Sequence, residues 1–180
     1  MIEQISNTSL SRLNLQEFLE MTNQERPEIT GGCVLLTGST LTVAMILMAY
    51  SISYKKTPVV ADKRTLRRLI RNINKIQGKL FHAAAHDLAI FDEYRAALKS
   101  RAKNKSSKLR AALKRATDSL SSAGEMLLEA IDETRKGSPY ADAGVACDVE
   151  AGLLVLEASL QGIRVLIQSN QEMLERDAHV

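Results

Sequence analysis

From Ile29 to Tyr54 the chain carries no Asp, Glu, Lys, Arg or His. A stretch of that length can cross a bilayer as a helix, and Lys55 and Lys56 flank it as the positive-inside rule favours. The soluble alternative makes it the innermost helix of a bundle, entered through the paired glycines Gly31 and Gly32. Thr37, Ser39, Thr40, Thr42, Ser51 and Ser53 leave it only moderately apolar, and Leu and Ile do not dominate it. Gly32 and Gly38 are small residues that let helices approach closely, in membranes and in tight soluble cores alike. The flanking segments also have wide apolar faces that need a central partner. The pattern therefore favours a soluble protein with no membrane partner.

Those segments read as helices. Residues 10–22 predict a short amphipathic helix with Leu13, Phe18 and Leu19 on its apolar side and Asn14 as cap. Pro27 separates it from the charge-free helix, placed at 34–54, which Thr57-Pro58 ends. Asp62 is placed as the cap of the next helix. There Leu66, Leu69, Ile73, Ile76, Leu80, Ala83, Asp87, Ile90, Tyr94 and Leu98 keep a 3,4 rhythm, the spacing of a packed seam. Residues 108–135 repeat it, ending with Gly137 as C-terminal cap before Pro139. A last helix is placed at 142–175, with Asp142 as its N-cap. No stretch alternates apolar and polar residues long enough for a sheet. The expectation is an all-α, up-and-down bundle of about five main helices around a central apolar one, forming a single domain over residues 1–180.

Composition narrows the function classes. Cys33 and Cys147 both lie in apolar surroundings and do not make a disulfide framework. They read as buried, reduced thiols of a cytoplasmic protein, and the N-terminus lacks the pattern of a secretory signal. The net charge of +3 hides a basic middle: residues 55–115 hold 18 Lys or Arg against 4 Asp or Glu. Such a segment can hold a polyanion or pair with acidic parts of the same chain. Aromatic residues are only 4% and supply no stacking platform, so no nucleic-acid partner is expected. His82 and His86 share a helical face at a metal-binding spacing, but no third ligand is in view, and no metal is expected.

Two short segments carry candidate chemistry, His86-Asp87 and Gly31 to Cys33. Asp87 interrupts an apolar seam, where burial raises a carboxyl pKa towards neutrality and suits it to proton transfer. His86, its neighbour, is a candidate proton relay. Gly31, Gly32 and Cys33 precede a helix N-terminus, whose free amides suit an anionic or carbonyl-bearing ligand. Cys33 has no base assigned to it and is not read as a nucleophile.

The order of these segments resembles the cyclodeaminase/cyclohydrolase family over nearly the whole chain. LQEFLE at 15–20, ITGGCVLLTGSTLTVAMILMAYSISYKK at 29–56, HDLAIFDEYRAALK at 86–99 and KGSPYADAGVACDVEAGLLVLEASLQGIRV at 136–165 carry the similarity. The chain departs from the family where Thr30-Gly31-Gly32-Cys33 replaces a three-glycine loop ending in serine. It departs again where Gly162 to Leu166 replaces an asparagine-containing motif, leaving Arg164. The resemblance implies a soluble homodimer that opens a cyclic C–N bond of a folate one-carbon derivative, as a methenyltetrahydrofolate cyclohydrolase or formiminotetrahydrofolate cyclodeaminase does. The tetrahydrofolate derivative is then substrate, and no tightly bound cofactor is expected. It places the acid/base at Asp87, and it implies substrate contacts at Lys56, Asp142 and Arg164 beside the Gly31–Cys33 segment. The departures leave a second reading, a catalytically altered family member acting as a binding or assembly module. A third is a small membrane-anchored helical protein.

Overall fold

A computed structural model of the protein describes residues 10–25, 27–100 and 104–176. A 3-10 turn at Leu10–Arg12 leads into α1 (Leu15–Thr22), followed by α2 (Gly31–Lys56), α3 (Val60–Lys99), α4 (Lys105–Gly137) and α5 (Ala146–Arg176). A second 3-10 turn, Ser138–Tyr140, follows α4. No strand occurs among the described residues.

The four long helices run up, down, up and down around a square. α2 packs on α3 and α5, α4 packs on α3 and α5, and α2 faces α4 across the diagonal. Leu36, Val43, Ile46, Leu66, Ile73, Leu80, Leu127, Leu156 and Ile163 fill the centre, and all are fully buried or nearly so. Burying each such side chain contributes roughly 1.5–3 kcal/mol.

The charge-free helix is one edge of this square and not a helix with neighbours on every side. Its inner face is buried, whereas Leu41 and Met48 are exposed on the outside. Its hydroxyls explain how a helix with so many Ser and Thr sits in a core. Ser39, Thr40, Thr42, Ser51 and Ser53 each donate to the carbonyl four residues back at 2.7–2.8 Å, so none is left unpaired.

Several local expectations are corrected. In α1, Asn14 caps as expected, in a reciprocal box with Glu17, but Leu19 is exposed because this short helix lies on the bundle by one side only. α2 starts at Gly31, not Val34: Thr30 caps it, accepting from the Cys33 amide at 2.9 Å, so the two glycines form its first turn. α3 begins at Val60 without a side-chain cap. Asp62 lies in its first turn, where it offsets the helix dipole instead. The buried line of α3 drifts from Ala83 to Ala84, and Leu98 is exposed, because a straight helix slips against a strict 3.5-residue rhythm. α5 starts at Ala146, and Asp142 lies in the turn before it, accepting from the Gly144 amide at 3.0 Å. Cys147 is exposed on α5, unlike the buried Cys33.

Gly137 is the most instructive correction. Its backbone is right-handed (φ −86°, ψ −23°), so it is not a left-handed cap. It is small because Tyr50 of α2 occupies the space: a Cβ there would lie 2.3 Å from the phenolic oxygen and 2.4 Å from Cζ. The Tyr50 hydroxyl donates to the Thr134 carbonyl at 2.6 Å, pinning the end of α2 to the end of α4.

Candidate functional site

At the opposite end of the bundle, the start of α2 meets the later half of α3, the start of α4 and the end of α5. They enclose a cavity of about 190 Å³. Its walls are mainly apolar, with Ile90, Phe91, Leu113, Leu120 and Leu166 among them. The polar groups that face it come from Thr30, the first-turn backbone at Gly31 and Gly32, Asp87, Tyr94 and Asn170.

Asp87 is buried, with 6% of its surface exposed. Its Oδ2 accepts from the Thr30 hydroxyl, whose oxygen in turn accepts from the Cys33 amide. Burial pushes the Asp87 carboxyl above the ordinary carboxylate range. The Thr30 hydroxyl, the Cys33 amide and the charge of His86 draw it part of the way back. The carboxyl stands so close to α2 that a Cβ on Gly32 would lie 2.7 Å from Oδ2 and 3.0 Å from Cγ. Gly32 is therefore the residue that admits Asp87 to the helix start. The amides of Gly31 and Gly32 have no intrahelical acceptor in a first turn, and both residues border the cavity.

The sequence-predicted residues fall into two groups. Asp87, Gly31, Gly32 and Cys33 come together. Burial pushes the Cys33 thiol up to about 11, so it is a neutral thiol packed behind the cavity wall. His86 turns away from the cavity: it is exposed, and its Nδ1 lies 3.2 Å from the Ser119 hydroxyl on α4. It touches Asp87 only through its charge, because adjacent helical residues point about 100° apart.

Within one chain, Lys56, Asp142 and Arg164 do not reach the cavity. Lys56 lies about 35 Å along α2 from Gly32. Its Nζ pairs with Asp142 at 2.7 Å, and that ammonium holds the Asp142 carboxyl below the usual range. Arg164 is exposed on the outer side of α5 and cannot meet Asp87. Among the described residues no cluster of three His, Cys, Asp or Glu is placed to hold a metal ion.

Thr30, Tyr94 and Asn170 were not singled out by sequence reasoning. Thr30 was legible as a helix cap, a Thr directly before the glycine pair, but the helix start was set too late to use it. Asn170 continues the Ile163–Leu166 face of α5 into the cavity, a polar residue on a seam as Asp87 is. A second depression of about 550 Å³ lies on the far side of Gly31 and Leu166. It is lined by Pro27, Ile29, Val34, Leu35, Gly162 and Val165 among others, and it is apolar.

Comparison with known proteins bears on this site. The fold is similar to that of formiminotetrahydrofolate cyclodeaminase from Thermotoga maritima, with a TM-score of 0.80 over 93% of this chain and 85% of that one, at 22% identity. No curated relative matches the sequence. The sequence pattern described as Formiminotransferase-cyclodeaminase matches residues 14–180. Spanning every helix and both walls of the cavity, that match shows that the chain belongs to the formiminotransferase-cyclodeaminase family.

Proposed function

We propose that the chain opens or closes a C–N bond of a folate one-carbon derivative, as a methenyltetrahydrofolate cyclohydrolase or a formiminotetrahydrofolate cyclodeaminase. One observation carries this reading: a single buried carboxyl of raised pKa, Asp87, in a mainly apolar cavity at a helix start. Such a group holds its proton longer than an exposed aspartate and can exchange it with water or nitrogen near working pH. In the hydrolytic direction, water adds to the methenyl carbon and Asp87 takes one of its protons. That proton returns to the ring nitrogen as the C–N bond breaks, and the remaining hydroxyl proton leaves to solvent as the formyl carbonyl forms. In the deaminating direction, the arylamine nitrogen beside the pterin bonds to the formimino carbon and ammonia leaves. Asp87 then carries the proton from the attacking nitrogen to the departing one. The first-turn amides of Gly31 and Gly32 would take the pterin carbonyl.

The cavity has room for a bicyclic ring and not for a whole folate. The remainder of the ligand would pass over Gly31 and Leu166 into the apolar depression beyond. The test is spectroscopic: purified protein mixed with methenyltetrahydrofolate, and separately with formiminotetrahydrofolate, followed by absorbance of the methenyl chromophore. The expected result is loss of the chromophore in the first mixture or its growth in the second, faster than in buffer. No turnover and no thermal protection by either compound defeats the proposal. Thermal protection without turnover moves the reading to a folate-binding module.

The same proposal includes a homodimer built on the outer face of α2 and α5. Leu41 and Met48 of α2 and Leu154, Val155 and Val165 of α5 are exposed there. Lipid is a poor cover for α5, because its exposed side also carries Glu150 and Arg164, and the only candidate span among the described residues is α2. An antiparallel pair sets the Lys56–Asp142 end of one α2 beside the Thr30 end of the other, which would bring those residues to the ligand. Light scattering without detergent is expected to give twice the chain mass, and Leu41→Glu to halve it. A wild-type monomer contradicts this part, and protein recovered only in detergent contradicts both it and a cytoplasmic location.

A further inference from the structure

Thr30 occupies a place that a helix cap alone does not explain. A cap needs one side-chain oxygen to accept an amide of the first turn, and Thr30 does this for Cys33 at 2.9 Å. With one lone pair used in that way, its hydroxyl proton points outward, and it goes to Asp87 Oδ2. Gly32, lacking a Cβ, is what lets the carboxyl come this close. The cap and the buried carboxyl are thus one chain of donors: Cys33 amide to Thr30 hydroxyl to Asp87.

We propose that Thr30 is the positioning residue of the cavity: it holds Asp87 Oδ2 as an acceptor and leaves proton exchange with the ligand to Oδ1. This inference rests on the reading of Asp87 as the acid/base group. A threonine hydroxyl aimed at Oδ2 stabilises the ionised form. It also fixes the carboxyl plane, so the proton of the neutral form is presented from one side only.

Burial raises the Asp87 carboxyl, and besides the Thr30 hydroxyl the Cys33 amide and His86 draw it back. On its own helix the charged neighbour is His86, and Tyr94 lines the same cavity. From α2 the only titratable group is Cys33, held neutral by burial. From α4 the facing residues are Ala112, Leu113, Ala116 and Leu120, and from α5 Leu166, Asn170 and Met173, none of which titrates.

The experiment titrates the Asp87 side-chain carbon by NMR in the intact protein, comparing wild type with Thr30→Ser and Thr30→Gly. Glycine is nearly as good a cap as threonine, so the second variant removes the hydroxyl while α2 keeps its start. Thr30→Gly is expected to raise the Asp87 midpoint by about 1–2 pH units, the effect of losing one hydrogen bond to a charged carboxylate. The acidic limb of the turnover profile should move by the same amount, and Thr30→Ser should stay near wild type in both. An unchanged midpoint in folded Thr30→Gly overturns the inference, as does a serine variant that behaves like glycine. The titration needs no turnover. A midpoint that shifts in a protein inactive on folates leaves the Thr30 inference standing and removes the enzymatic reading instead.

Discussion

Replacing Asp87 with asparagine is expected to lower turnover by about 100- to 10,000-fold, the usual contribution of a positioned acid/base group. The same change should make the fold more stable at neutral pH. Asparagine keeps the size of the side chain, and its carbonyl oxygen can accept the Thr30 hydroxyl as Oδ2 does. It does not have to ionise inside an apolar cavity. Because burial raises the folded-state pKa of Asp87 above the ordinary value of 3.8, the folded protein keeps this proton where the unfolded chain has lost it. Unfolding then releases a proton, so Asp87's contribution is fully present below the unfolded pKa and is lost as pH rises through the folded one. Denaturant midpoints of the two proteins should diverge as pH rises above the unfolded-state value, with the variant gaining. Asp142 and Glu133, both pushed the other way by lysine partners, are common to the pair and cancel in the difference. A pH-independent difference would show that Asp87 is not a titrating buried carboxyl.

Gly137→Ala should be the most damaging single methyl group in the chain. The Tyr50 ring is completely buried and its hydroxyl is committed to Thr134, so it has nowhere to retreat. Overpacking a tight core costs about 1–3 kcal/mol, and a displaced hydroxyl forfeits a buried hydrogen bond worth about 1 kcal/mol more. A loss of roughly 2–4 kcal/mol by urea denaturation is expected. Adding Tyr50→Phe should not restore it, because Cζ and Cε2 stand 2.4 and 2.8 Å from the new methyl and both remain. Tyr50→Leu in the same background should recover part of the loss. A Gly137→Ala protein within 1 kcal/mol of wild type would mean that α4 and α2 separate more easily than their packing implies.

Both positions illustrate what was legible in the residues. Asp87 stood out because a carboxylate on a 3,4 seam contradicts its surroundings, and contradictions of that kind are local to one helix. Gly137 was legible as special, but for the wrong reason. A glycine before a proline reads as a left-handed cap, whereas its neighbour in space is a tyrosine 87 positions earlier in the chain. Thr30 was passed over for a similar reason. Its capping role is local, but its second hydrogen bond spans 57 residues.

Periodicity, composition and the absence of charge between Ile29 and Tyr54 were enough to establish an all-helical bundle, the order of its helices and the buried carboxyl. These follow from which side chains share a helical face, a property of spacing alone. Tertiary packing decided the rest. It made the charge-free helix an edge of the square rather than its middle, and it set Thr30 and Gly32 against Asp87. It also turned Arg164 outward and put Lys56 and Asp142 at the far end of α2. Those outcomes depend on how helices rotate about their axes and which ends meet. Many residues distant in sequence determine these together, and no single helix encodes them.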